Sequence, residues 1–286
     1  ARHHTINNRT MAVMVMGNRY SPDFYEAVIP EKWESGLDLI IGGGIVGKVR
    51  QKNALVADPT RVRVLGYICD EEGVVINTRS FNKVIPKKTI KNPKRAKMVL
   101  CVGTAMNSGK SHAAAACCYA LSSKGYDVRA AKITGTSSLR DILLMEDCGA
   151  SPVADFSYLG YPPTYMLEKH DLLHIFNSID LRYANNHRNY WVVEIADGIL
   201  QRETAILLKS DDVRLCIHKL VFCAYDASGV IGGLNTLAEK FALTPNAISG
   251  RCSSSPLVVS ELVGYTNVPI FSSVDRDIEH IWRIIK

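Results

Sequence analysis

The stretch VLCVGTAMNSGKSHAAAACCYAL, residues 99–121, carries the decisive pattern in this chain. An apolar run from Val99 to Val102 enters Gly103, a polar turn leads to Lys110 and Ser111, and an alanine-rich segment reads as a helix from about Lys110 to Lys124. Strand, Gly-rich turn and helix in that order let successive backbone N–H groups converge on an anion, and the helix N-terminus adds positive potential. Gly103, Thr104, Asn107, Ser108, Gly109, Lys110 and Ser111 are the candidate phosphate-binding residues, with Lys110 a point charge for the β/γ oxygens and Ser111 a hydroxyl for Mg²⁺. Five residues separate Gly103 from Gly109, one more than the usual phosphate-loop spacing. The run Ala113–Ala116 reads as close helix–sheet packing.

Working outward, apolar strands alternate with helical stretches from Met98 onward: KMVLCVG, DVRAAKITG, a helix near 138–148, YWVVEIADG, KLVFCAYD, PNAISG and VPIFSSV. That alternation predicts right-handed crossovers and a three-layer α/β domain with a mostly parallel sheet over residues 98–286. Before it, residues 1–86 read as a small β-rich domain, a barrel or sandwich, built from DLIIGGGIVGKVR, NALVADP, RVRVLGYICD and GVVINTRSF, with CDEEGVVI a hairpin. Between them lies a basic linker, 87–97.

The 286 residues are 47% hydrophobic and 22% charged, which excludes a disordered tail, a collagen-like repeat and a small disulfide scaffold. The net charge of +6 is local: residues 86–97 (PKKTIKNPKRAK) hold six bases and no acid, equal to the whole excess of 34 Lys+Arg over 28 Asp+Glu. Two prolines and no interleaved aromatics make this a solvated linker in preference to a nucleic-acid or membrane patch. The eight cysteines show no Cys-x-x-Cys pair and sit mostly in apolar contexts, the pattern of buried free thiols in a reducing cytoplasm. No 18-residue apolar run and no signal peptide are legible, so a soluble cytoplasmic protein is expected.

The longer loop resembles the G-T-x-x-x-x-G-K-[ST] variant of dethiobiotin synthetase, of cobyric acid synthase-type amidotransferases, and of P-loop proteins related to D-glutamate N-acetyltransferases. The resemblance spans about residues 98–275 and implies a P-loop NTPase fold using ATP and Mg²⁺. YWVVEIADG looks like the V-V-E-G-A-G-G strand end of the synthetases, which makes Glu194 the matched metal ligand; Ile195 and Ala196 depart from the small residues that follow it there. Lys132 falls where that family has a Lys close to the phosphates. Asp141, in SLRDILLMEDCGA, matches its other metal-binding Asp, although a first-turn helix Asp reads equally as a partner of the macrodipole. Thr134, Thr136 and Asp197 are candidate substrate residues or simple turn formers. In relatives the loops after the late strands contact base or substrate, which brings in Asn246 and Ser249. The absence of an [NT]KxD guanine motif favours ATP over GTP. His170, His174 and His187, in the insertion 151–189, carry no metal spacing.

These readings imply an ATP-dependent kinase or ligase that activates a small-molecule carboxylate or amine. In it Lys110, Lys132 and Glu194 are catalytic, and Ser111, Asp141 and Glu194 bind the metal. Two alternatives stay open: N-acyl transfer to a small amino acid, and a nucleotide-dependent switch whose partners engage the N-terminal module. A homodimer is expected by analogy only.

Overall fold

The computed structural model describes residues 6–84 and 90–286. Contacts divide the chain into two compact units, 1–76 and 77–286.

In the first unit β1 (Val15–Met16), β2 (Arg19–Tyr20), β3 (Tyr25–Val28), β4 (Gly36–Ile41), β5 (Ile45–Lys52) and β6 (Thr60–Arg63) form one sheet in the order β2-β3-β5-β4-β6, with β1 also on β5. Pairing is antiparallel except between β1 and β5. The path is open, so the barrel or sandwich expectation gives way to a single sheet over a small core of Ala27, Ile40 and Ile45. The reason is a shortage of buried alternation beyond β6. NALVADP forms a turn instead of a strand, and Leu65, Tyr67, Ile68, Val74 and Val75 are exposed. The CDEEGVVI hairpin is present in outline, with Cys69 bridging Val75 and the Asp70 N–H donating to Val74 O at 2.9 Å.

The second unit is the α/β domain. Its strands are β7 (Lys97–Gly103), β8 (Val128–Lys132), β9 (Val153–Asp155), β10 (Tyr190–Glu194), β11 (Ile217–Ala224) and β12 (Ala247–Gly250). Its helices are α1 (Lys110–Ser123), α2 (Leu139–Asp147), α3 (Lys169–Tyr183), α4 (Arg202–Lys209), α5 (Asp211–Arg214), α6 (Ala227–Phe241), α7 (Pro256–Leu262) and α8 (Ile278–Ile285). The sheet is parallel throughout, in the order β12-β11-β7-β10-β8-β9. Alternate residues of β7 feed opposite layers because strand side chains alternate in direction. Met98, Leu100 and Val102 pack with α3, α4 and α6, whereas Val99 and Cys101 pack with α1, α2 and α8. Ala113–Ala116 are fully buried, which bears out the close-packing reading: a helix seated over the sheet centre has no room for longer side chains. β9 was not legible, being three residues long, and VPIFSSV contributes only an isolated bridge, Ile270 to Ile248.

The basic segment behaves less like a solvated linker than its composition suggests. Residues 85–89 lie outside the described residues, as does the opening ARHHT. Lys91 and Arg95, however, both pair with Asp180 of α3, a carboxylate with no exposed surface. A buried charge needs such partners, so these bases are tethers. Six of the cysteines are buried, but Cys69 is exposed and Cys216 half-buried. Among the described residues no helix is long and apolar enough to cross a membrane.

Candidate functional site

All six strands of the α/β sheet end at one edge, and adjacent strands leave β7 and β11 for opposite sides, β7 toward β8 and β11 toward β12. Open α/β sheets bind ligands at such a switch point. The turn from Gly103 to Ser111 sits there. Ser108 is buried, Asn107 adopts φ 62°, and Gly109 opens α1 at φ 97°, a conformation that costs a residue with a Cβ. A Cβ on Gly109 would stand 2.7 Å from Gly250 Cα, so the turn is held tightly on β12. No side chain caps α1 and no acid lies in its first turn, which leaves its positive end to the loop.

Lys110 is 5% exposed, and its Nζ donates to Ala105 O at 2.7 Å, folded back onto the loop. Burial lowers its pKa, and Glu194 and Asp197 pull it back up. Ser111 Oγ donates to Glu194 Oε1 at 3.1 Å. Register explains the meeting: on β10, Glu194 lies beside Cys101 of β7 and beside Lys132 of β8. Glu194 is 1% exposed, and its Oε2 is buried with no hydrogen-bond partner among the described residues. Lys132 Nζ stands 3.5 Å from Glu194 Oε1 and donates to Asp141 Oδ2. Burial acts to lower the Lys132 pKa, but Glu194 and Asp141 overcome it and raise it.

The loop after β10 lies across the start of the turn. The Ile199 N–H donates to Gly103 O at 2.9 Å, and a Cβ on Gly198 would meet Thr104 O at 2.2 Å, so only glycine allows that approach. Asp197, at φ 62°, has its carboxyl pushed up to about 6 by burial, with Lys110 and Lys132 acting the other way. Thr134 accepts the Ala196 N–H at 2.9 Å and braces this loop; Thr136 forms a bridge with Pro163. Neither threonine shows more than a loop contact.

The structure thus brings Lys110, Ser111, Lys132, Asp141, Glu194 and Asp197 into one cluster at the strand ends. The proposed metal set contains two carboxylates and a hydroxyl, and a Lys132 ammonium joins the carboxylates. Among the described residues no group of three or more His, Cys, Asp and Glu is placed to hold a metal. Ser111 and Glu194 still fit Mg²⁺, which takes few protein ligands beside substrate phosphates, and Glu194 Oε2, without a hydrogen-bond partner among the described residues, is the atom open to it. Asn246 and Ser249 fall away as ligand contacts: Asn246 Oδ1 accepts the Leu220 N–H at 2.8 Å, and Ser249 Oγ donates to Phe271 O at 2.9 Å. His170, His174 and His187 are exposed. Sequence reasoning missed Asp155, buried at the end of β9 in register with Lys132, and the exposed Tyr225 after β11. The aromatic among the small and polar residues CAYDASG was the available signal for Tyr225.

No protein-family description matches this chain, and no curated protein matches it. Its fold resembles that of solved structures at low identity. The signal recognition particle receptor FtsY from Elizabethkingia anophelis in complex with GDP is 13% identical, with a TM-score of 0.43 over 73% of this chain and 69% of that one. The ParA family ATPase from Chlorobium tepidum TLS is 15% identical, with a TM-score of 0.40 over 67% of this chain and 90% of that one. Likenesses this distant leave the site's meaning to its own geometry.

Proposed function

We propose that the α/β domain binds a magnesium–nucleoside triphosphate and cleaves its terminal phosphoryl bond, with the loop 195–199 reporting the state of the site. The observation that carries this reading is the Ser111–Glu194 contact at 3.1 Å beside a helix N-terminus with no side-chain cap. Backbone N–H groups from Gly103 to Ser111 bind the phosphates, and Lys110 exchanges the Ala105 carbonyl for a phosphate oxygen. Ser111 and Glu194 hold Mg²⁺, whose chemistry is to neutralise charge on the phosphate oxygens. Asp197, with its raised pKa, is the group suited to accept a proton from the attacking nucleophile. Because Gly198 and Ile199 rest on Thr104 and Gly103, a shift of the phosphate turn moves the segment that leads into α4.

A second reading, phosphoryl transfer to a small-molecule carboxylate or amine, is favoured by the same Asp197, which follows the Ala196 held by Thr134 and whose carboxyl is influenced by Lys110 and Lys132. Phosphate release from ATP and GTP by the full chain, with Glu194→Gln as control, tests the shared chemistry. Release without any added acceptor supports the hydrolytic switch; release that requires a carboxylate or amine supports the second reading. No release under either condition, with Mg²⁺ present, defeats both.

A further inference from the structure

A triphosphate seated on Lys110 and Ser111 must send its nucleoside somewhere along the strand ends. Toward β10 and β8 the space is taken by Glu194, Lys132 and Asp141. On the other side lie the ends of β11 and β12. There the Arg251 N–H donates to Ser108 O at 3.0 Å, so Arg251 adjoins the last turn of the phosphate loop. Its guanidinium lies over the Tyr225 ring, 4.8 Å from the centroid, and donates to the Tyr225 hydroxyl. Tyr225 is 47% exposed, and Arg251 is exposed and has no ion pair among the described residues. An exposed ring with a cation fixed over it, one residue from the phosphate amides, is a stacking surface without a packing role in either core cluster.

We propose that Tyr225 and Arg251 form the nucleobase platform, holding the base by its face instead of reading its edge. The inference rests on the magnesium–nucleotide reading and adds the residues that set nucleoside selectivity. Stacking tolerates any base because every base has a π-face. The nearest carboxylate in sequence, Asp226, is turned to α6, whose cap it forms by accepting the Gly229 N–H through Oδ1 at 2.6 Å. The platform therefore accepts ATP and GTP alike, in contrast to the ATP preference inferred from the missing guanine motif.

The test is calorimetric titration of the full chain with ATP, GTP and inorganic tripolyphosphate, each with Mg²⁺. Wild type is expected to bind ATP and GTP within about threefold of each other. Tyr225→Ala is expected to weaken both nucleotides roughly tenfold, the order of one base–aromatic stack, and to leave tripolyphosphate within about twofold. Tyr225→Phe keeps the ring and retains affinity, and melting temperatures of both variants confirm that this half-exposed site leaves the fold intact. Equal losses for all three ligands, or no loss for the nucleotides, overturn the platform. A wild-type preference above about tenfold for one base overturns face-only recognition. Failure of tripolyphosphate to bind wild type is a separate result that removes the phosphate-loop reading, and the platform with it.

Discussion

Ser111 of α1 and Glu194 of β10 meet through a 3.1 Å hydrogen bond, although 83 residues separate them. The contact exists because β10 lies directly beside β7, the strand that feeds the phosphate loop. It joins a hydroxyl at a helix N-terminus to a buried carboxylate with one oxygen to spare, the two groups that would hold a divalent cation in the proposed reading.

Removing the charge of that carboxylate separates metal from nucleotide. Glu194→Gln is nearly isosteric and is expected to leave metal-free nucleotide affinity within about twofold, because the backbone amides do that binding. Phosphate release is expected to fall roughly 10²–10³-fold. Titrations with and without Mg²⁺, alongside a phosphate-release assay, check both halves; retained turnover would remove Glu194 from the site.

Lys110 has opposite effects on stability and binding. Its ammonium is buried against a carbonyl, and desolvation lowers its pKa, so the charge is an expense of the unliganded state. Lys110→Met is expected to keep or raise the melting temperature while weakening nucleotide binding roughly 10- to 100-fold. Thermal denaturation and calorimetry on one preparation decide it.

Lys132 joins Asp141 to Glu194 in partial burial. Lys132→Met leaves two carboxylates facing each other without a cation and is expected to cost about 2–4 kcal/mol. Mg²⁺ is expected to return part of that loss, raising the variant's melting temperature more than the wild type's. Equal metal responses would show that the carboxylates do not converge on a common cation.

Asp197 predicts a pH dependence of definite sign. Its carboxyl is raised from 3.8 to about 6 in the folded chain, chiefly by burial, so between about pH 4 and 6 the folded state binds more protons than the unfolded state. Its contribution is therefore fully present below about pH 4 and declines as pH rises through 6. Asp197→Asn is expected to remove that decline and to raise stability at pH 7.5 by about 1–3 kcal/mol, read from denaturant unfolding across pH. A steeper decline in the variant would contradict the assignment.

A methyl group at Gly198 tests the link between phosphate turn and neighbouring loop. With Thr104 O 2.2 Å from where the Cβ would stand, Gly198→Ala forces the two loops apart. Nucleotide affinity is expected to fall by more than about tenfold, with a stability loss of only about 1–3 kcal/mol, because the contact lies at the strand ends and outside the core clusters. Calorimetry and thermal unfolding measure the two quantities separately.

Local chemistry made much of this legible. The run from Val99 to Ser111 announces strand, turn and helix because each piece obeys a short-range rule: apolar β-forming residues, glycines at a sharp turn, then alanines of high helix propensity. Glu194 was readable as the polar end of a buried run, YWVVE. The first unit was less legible because its segments are short and partly exposed. NALVADP has the composition of a strand, but no neighbouring strand pairs with it. Lys91 and Arg95 look solvated by composition, yet they are drawn to Asp180, a residue about 85–90 positions away that no local pattern could connect to them.

The sequence by itself determined that a buried strand runs through a glycine-bounded turn into a helix of an α/β domain, since those features follow from residues within one turn or strand of each other. Only the tertiary structure decided that Lys132 sits between Asp141 and Glu194, that the half-buried Asp197 comes under the influence of both Lys110 and Lys132, and that Tyr225 stacks with Arg251. Each of these depends on strand order, β12-β11-β7-β10-β8-β9, which is chosen by how two apolar layers close around the sheet. A side chain's partners, and hence its charge state, are properties of that closure.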